Sequence, residues 1–207
     1  MTLFMLLLVT GAFAQQGTEM KTLFGNSGIR SNGGYGALTT GYSNIDNRDA
    51  ILMGARGAWL INHKVGIGLA GTGFLTSSKE DAVLNDRYQL AGGYGGLFFE
   101  FIVSPNSPVH VSFPLTIGAG GVAYVRKDYN FNNNFESLEH DSEAFFMVEP
   151  GIELELNLVK FMRLAFGASY RYTSDVKLAY TSNNAPIVGN DALRGFSGGI
   201  TLKFGKF

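Results

Sequence analysis

Between Glu143 and Leu156 the side chains alternate with period two. Glu149, Gly151, Glu153 and Glu155 share one face; Val148, Pro150, Ile152, Leu154 and Leu156 share the other. Period two specifies a strand, because successive side chains leave opposite faces of a pleat. Eight such segments follow one another, over 33–44, 50–61, 65–76, 88–103, 109–127, 143–156, 162–173 and 193–204, and nothing reads as a long helix. One face is strongly apolar and the other is glycine and charge. A sheet of this kind closes stably with its greasy side outward, in hydrocarbon, where every backbone group must be paired internally. The fold expected is all-β: an eight-stranded antiparallel up-and-down transmembrane β-barrel.

The faces agree from segment to segment. On 109–127, Val109, Val111, Phe113, Leu115, Ile117 and Val125 point out, while His110, Ser112, Thr116, Gly118, Gly120 and Arg126 point in. On 162–173, Met162, Leu164, Phe166, Tyr170 and Tyr172 oppose Arg163, Gly167, Ser169, Arg171 and Thr173. The interior thus gathers Glu100, Glu149, Glu153 and Glu155 with Arg56, Arg163 and Arg171, and Arg194 is a further candidate. Lone charges in a closed interior are very costly, so mixed signs imply an ion-pair network. Glycine, at 28 of 207 residues, is about twice its usual share. On the inner face it leaves room for long Arg and Glu side chains. Eight strands enclose a space that side chains fill, so no open channel is expected. Pro114 and Pro150 lie mid-strand without the N–H a ladder needs, and a bulge or local irregularity is expected at one or both.

The connections alternate in length. Those at 62–64, 104–108 and 157–161 are short; those at 77–87, 128–141 and 174–192 are long; only 45–48 is shorter than its side predicts. Membrane barrels have one rim of tight turns and one of long loops. Trp59, Phe101, Phe113 and Phe204 gather toward the short-turn end, and Phe146, Tyr170, Tyr172 and Phe196 toward the other, as two interfacial girdles would. A surface ligand would meet loops 128–141 and 174–192.

Residues 1–14 read as an export signal: Leu3 to Val9 is nearly all apolar, and Ala12-Phe13-Ala14 is a small-x-small cleavage site. No Lys or Arg precedes Lys21, so the signal is atypical or a basic stretch lies upstream. Residues 15–32 form a polar lead-in, and 33–207 the barrel. No later run of apolar residues is long enough for a transmembrane helix. A net charge of −1 offers no field for nucleic acid. With no cysteine, disulfides, thiolate metal sites and cysteine nucleophiles are excluded.

The last residues, Ser197, Gly199, Leu202 and Phe204, resemble the polar-x-Gly-x-x-apolar-x-aromatic ending of bacterial outer-membrane proteins, with Phe207 as the alternative terminal aromatic. With the export signal and the eight-segment layout, the chain resembles the OmpA transmembrane domain and OmpX type of small barrel. The resemblance implies recognition by the barrel assembly machinery, residence among outer-membrane lipids, and neither cofactor nor catalysis.

Two motifs suggest chemistry. Gly66-x-Gly68-x-x-Gly71 spells a dinucleotide fingerprint, but that motif needs a helix after it, and here the strand pattern runs on through Phe74. His110-x-Ser112 resembles the His-x-Ser of outer-membrane lipid A deacylases. Both residues face inward near the short-turn rim, away from the outer leaflet, which weighs against lipid hydrolysis. His63 and His140 lie in connections and suggest no metal site. The alternatives are a soluble secreted β-barrel holding an apolar ligand, with the faces exchanged, and a lipid A-modifying enzyme.

Overall fold

The computed structural model describes residues 32–126, 142–180 and 185–207. The export segment 1–14, the lead-in up to 31, Lys127, loop 128–141 with His140, and Asn183–Asn184 lie outside the described residues. Among the described residues there are nine strands: β1 (Asn32–Ile45), β2 (Arg48–Ile61), β3 (Val65–Thr76), β4 (Lys79–Asp81), β5 (Asp86–Val103), β6 (Val109–Arg126), β7 (Ser142–Val159), β8 (Met162–Thr173) and β9 (Gly195–Lys206). β4 continues β3 alongside β5 after a two-residue break, so the barrel has eight staves. Each pairs antiparallel with its sequence neighbour, β1 pairs with β9, and the ring closes.

The burial pattern is inverted. Ile117, Ile152 and Leu154 are exposed on the outer wall, whereas Glu153, Arg171 and Lys203 are buried in the lumen. A water-soluble barrel would reverse this assignment. The turns are chemically apt. Asp46 and Asn47 take φ of 52° and 55°, Asn62 and His63 53° and 58°. Two successive left-handed residues make the type I′ turn whose twist matches a hairpin, and Asn and Asp tolerate it best. The turn at 62–63 closes with a 3.1 Å bond from the Lys64 N–H to the Ile61 carbonyl.

No register-shifting bulge forms at the prolines, but each interrupts one ladder, the local irregularity expected of them. The β6–β7 register is the same on both sides of the gap, Ser112↔Glu153 before it and Leu115↔Pro150 after it. Each strand N–H points to one neighbour only, so a proline breaks a single ladder. Pro114 stays paired with Glu100 but drops from the ladder to β7; Pro150 stays paired with Leu115 but drops from the ladder to β8. Gly151 faces Pro114, and a Cβ there would lie 3.2 Å from the proline ring. The register shift falls instead between Asn157 and Val159, beside a tight turn.

Candidate functional site: the barrel lumen

Inward positions divide the lumen into three levels. Nearest the short-turn rim is a charge cluster centred on Lys203 of β9. Its ammonium donates to Glu100 Oε1 at 2.5 Å and Glu155 Oε1 at 2.6 Å, and lies 3.1 Å from Glu153 Oε2. Arg56 donates to both Glu153 oxygens, at 2.6 and 2.9 Å, and lies 3.9 Å from Glu100. Arg163 approaches Glu155 at 3.4 Å and the Pro105 carbonyl at 3.3 Å. Tyr35 donates to Glu100 at 2.6 Å. Three cations thus serve three carboxylates, the arrangement in which buried charge is tolerable. Rings seal the layer: Arg163 lies 4.0 Å over Phe207, and Phe207 stacks on Tyr35.

Glu100, Glu153 and Glu155 bring carboxylate oxygens within 4.8 Å of one another, the spacing of a metal cage. The Lys203 ammonium sits among all three, so a side chain already supplies the cation.

Above this layer lies a cavity of about 120 Å³, lined by Thr39, Arg56, Thr116, Glu149, Ser169 and Thr201 among others. Glu149 stands apart from the charge cluster and accepts a 2.7 Å bond from Ser169. The lining mixes these polar groups with Leu52, Ala70, Phe98 and Pro114, and the volume is large enough to accommodate several waters beside the polar ones.

The third level is an apolar stopper at the long-loop rim. The β8–β9 connection turns inward, and Val176, Leu178, Val188 and Leu193 are buried among Phe74, Leu90, Tyr94, Phe145 and Met147. Backbone bonds hold the connection together, from Ile187 to Leu178 at 2.8 Å and from Val176 to Asn190 at 3.0 Å. Asp81 anchors it, accepting from Tyr180 at 2.6 Å and from Tyr124 at 2.8 Å. Burial acts to raise the Asp81 pKa, but these hydroxyls and the Leu84 and Val83 amides outweigh it and hold the carboxyl below its ordinary value. Burial, then the bond to Asp81, pushes the Tyr180 hydroxyl up.

The residues singled out from sequence fall in several places. Arg56, Glu100, Glu153, Glu155 and Arg163 meet in one cluster. Arg171 is buried but pairs with no carboxylate among the described residues; it donates to the Leu193 carbonyl at 2.7 Å and the Tyr94 hydroxyl at 3.1 Å, pinning the stopper. Arg194 does not enter the lumen, being bound to Asp175 at 2.7 Å on the exposed rim, because β9 starts after it. Arg126 reaches Asp86 outside the mouth, since β6 projects past the stopper. His110 binds Glu155 and the Ser107 carbonyl, each at 3.1 Å, so both ring nitrogens are engaged away from Ser112, which is fully buried. Gly66, Gly68 and Gly71 lie within β3, with no helix following. Ser197 and Gly199 face inward, Leu202 and Phe204 outward, and Phe207 folds beneath the lumen.

Lys203 and Tyr35 were missed from sequence. Lys203 shares its face with Ser197, Gly199 and Thr201, so the alternation that marked the arginines also marks it.

A closed eight-stave wall, apolar outside and charged within, defines a small β-barrel of the membrane-spanning type. No protein-family model matches the chain, and no curated protein does. Among solved structures, Neisserial surface protein A superposes with a TM-score of 0.50 at 13% identity, covering 85% of this chain and 97% of that one. The N-terminal β-barrel domain of Pseudomonas aeruginosa OprF gives 0.48 at 10% identity, covering 84% and 96%. The attachment invasion locus protein Ail of Yersinia pestis, in complex with a heparin analogue, gives 0.48 at 11% identity, covering 84% and 97%.

Proposed function

We propose that the chain is an integral outer-membrane β-barrel without catalysis or an open pore, with a structural or surface-interaction role exerted through its long-loop rim. One observation carries the reading: the lumen is closed twice, by the Lys203 charge layer and by the Val176–Leu193 stopper. A pore needs a continuous wet path, and a lumenal catalyst needs an entrance. The outer wall offers hydrocarbon side chains to lipid, and the rigid scaffold leaves recognition to loops 128–141 and 174–192. Three measurements test this. Carbonate-washed membranes should retain the protein, and the folded barrel should migrate differently on an unboiled detergent gel. Cysteines at Asn133 and Asn184 should label from outside intact cells. His110→Ala and Ser112→Ala should leave lipid A mass spectra unchanged; altered acylation would revive the enzyme reading.

A further inference from the structure

The described charges sort by level in a way that barrel closure does not require. In the lumen, Arg56, Arg163, Arg171 and Lys203 balance Glu100, Glu149, Glu153 and Glu155. The long-loop rim is mixed, and acidic Asp46, Asp49, Asp86 and Asp175 stand beside basic Arg48, Lys79, Arg126 and Arg194. The short-turn rim carries Lys64, Lys160 and Lys206, all exposed, and no Asp or Glu among the described residues.

Each of these lysines adjoins the lipid-facing wall. Lys64 precedes exposed Val65, which pairs with exposed Phe101. Lys160 sits between exposed Val159 and Phe161, so that turn itself is greasy. Lys206 projects from the outer face of β9 two residues beyond exposed Phe204. None of the three makes an ion pair among the described residues. With the hydrocarbon boundary at Trp59, Phe101 and Phe204, their ammonium groups fall at headgroup depth, where a long Lys stem keeps its charge in the polar layer.

Resting on the membrane-barrel reading, we propose that the short-turn rim is a docking collar for the phosphate headgroups of anionic phospholipids in the adjoining leaflet. Phospholipid is favoured over a soluble polyanion because the lysines flank the apolar belt rather than forming a patch turned toward water. Basic residues at a membrane surface are drawn to anionic lipid over a range limited by ionic screening.

The test uses the whole purified barrel in phosphatidylcholine vesicles carrying a trace of spin-labelled phosphatidylglycerol or spin-labelled phosphatidylcholine. Electron paramagnetic resonance reads the fraction of label immobilised on the protein. At low salt the anionic label should be enriched about twofold or more over the neutral one, from a few favourable headgroup contacts. High salt should abolish the preference, as should the triple variant K64Q/K160Q/K206Q, checked for folding by its gel shift. Lys79→Gln with Lys177→Gln, on the opposite rim, should leave it intact. Absence of a preference in the wild type, or its persistence in the triple variant, overturns the collar; the salt series decides the matter even where the triple variant fails to fold. Lysine-dependent binding to peptidoglycan sacculi without lipid preference also overturns it. A barrel that fails to float with vesicles sinks the membrane reading; one that floats without lipid preference sinks the collar alone.

Discussion

Replacing Lys203 by Met removes the one ammonium shared by three glutamates and leaves a side chain of similar length. Among the fixed cations Glu100, Glu153 and Glu155 would then face Arg56 and Arg163, with the His110 ring as the other partner of Glu155, an excess of one negative charge in a buried layer. Two carboxylates with oxygens within 4.8 Å of each other repel by at least about 3.5 kcal/mol at an effective dielectric of about 20. The layer can avoid that cost by binding one proton. At pH 7, against an ordinary Glu pKa near 4.3, proton uptake costs about 3.7 kcal/mol; at pH 5 it costs about 1 kcal/mol. The two figures agree, so Lys203→Met should lose about 3–4 kcal/mol at pH 7, the range found for breaking buried pairs, and about 1 kcal/mol at pH 5. Glu100→Gln added to Lys203→Met removes the surplus charge and should recover about 1–3 kcal/mol of the loss. Urea unfolding in detergent or vesicles, followed by band shift on cold gels, measures all three. A loss below about 1 kcal/mol at pH 7, or one equal at both pH values, refutes the claim that Lys203 is the keystone of the layer.

The two seals lie in series, so Lys203→Met should leave planar bilayers electrically silent; steady conductance from that variant would show that the apolar stopper is no barrier. The Asp81 carboxyl, held below its ordinary pKa mainly by Tyr180 and Tyr124 against the opposing effect of burial, contributes stability that is full above about pH 4, its unfolded value. That contribution vanishes as pH falls through the lower folded value. Proteolysis of the β8–β9 connection should therefore begin on acidification below about pH 4 and be insensitive to pH in Asp81→Asn; equal acid sensitivity in both proteins would remove Asp81 from the anchor. At Gly118 a new Cβ would meet the Gly95 carbonyl oxygen at 2.0 Å, whereas at Gly167 it would meet the movable Glu153 Cγ at 2.8 Å. Gly118→Ala should cost about 1–3 kcal/mol by overpacking, and Gly167→Ala less; the reverse order in urea would refute the reading.

The wall was legible from sequence because alternation is local. Each residue declares its face through its immediate neighbours, and hydrocarbon imposes that choice on every strand, which is why Ile152 and Glu153 fell on opposite sides as expected. Depth along the axis is another matter. Which inward residues share a level depends on register and stagger between strands, as in Lys203 of β9 meeting Glu100 of β5 from across the lumen. Period two therefore marked Arg171 as inward but could not show that it lies in the stopper layer, out of reach of the glutamates. Rim positions failed for the same reason: Arg126 has inward parity but projects past the stopper, and Arg194 precedes the strand that would have aimed it. Length marks 174–192 as a surface loop, yet its Val176, Leu178 and Val188, with Leu193 just beyond it, are buried because a barrel mouth lined by Phe74, Tyr94 and Phe145 needs apolar cover, a demand no local pattern announces. The inward glycines were expected to make room for long charged side chains. Gly167 does so for Glu153, but Gly92 and Gly120 instead admit the rings of Phe74 and Phe145, at 2.6 and 2.7 Å from the Cβ each lacks. Glycine in this wall is placed opposite whichever large group the register delivers, and that is a property of the closed cylinder rather than of any one strand.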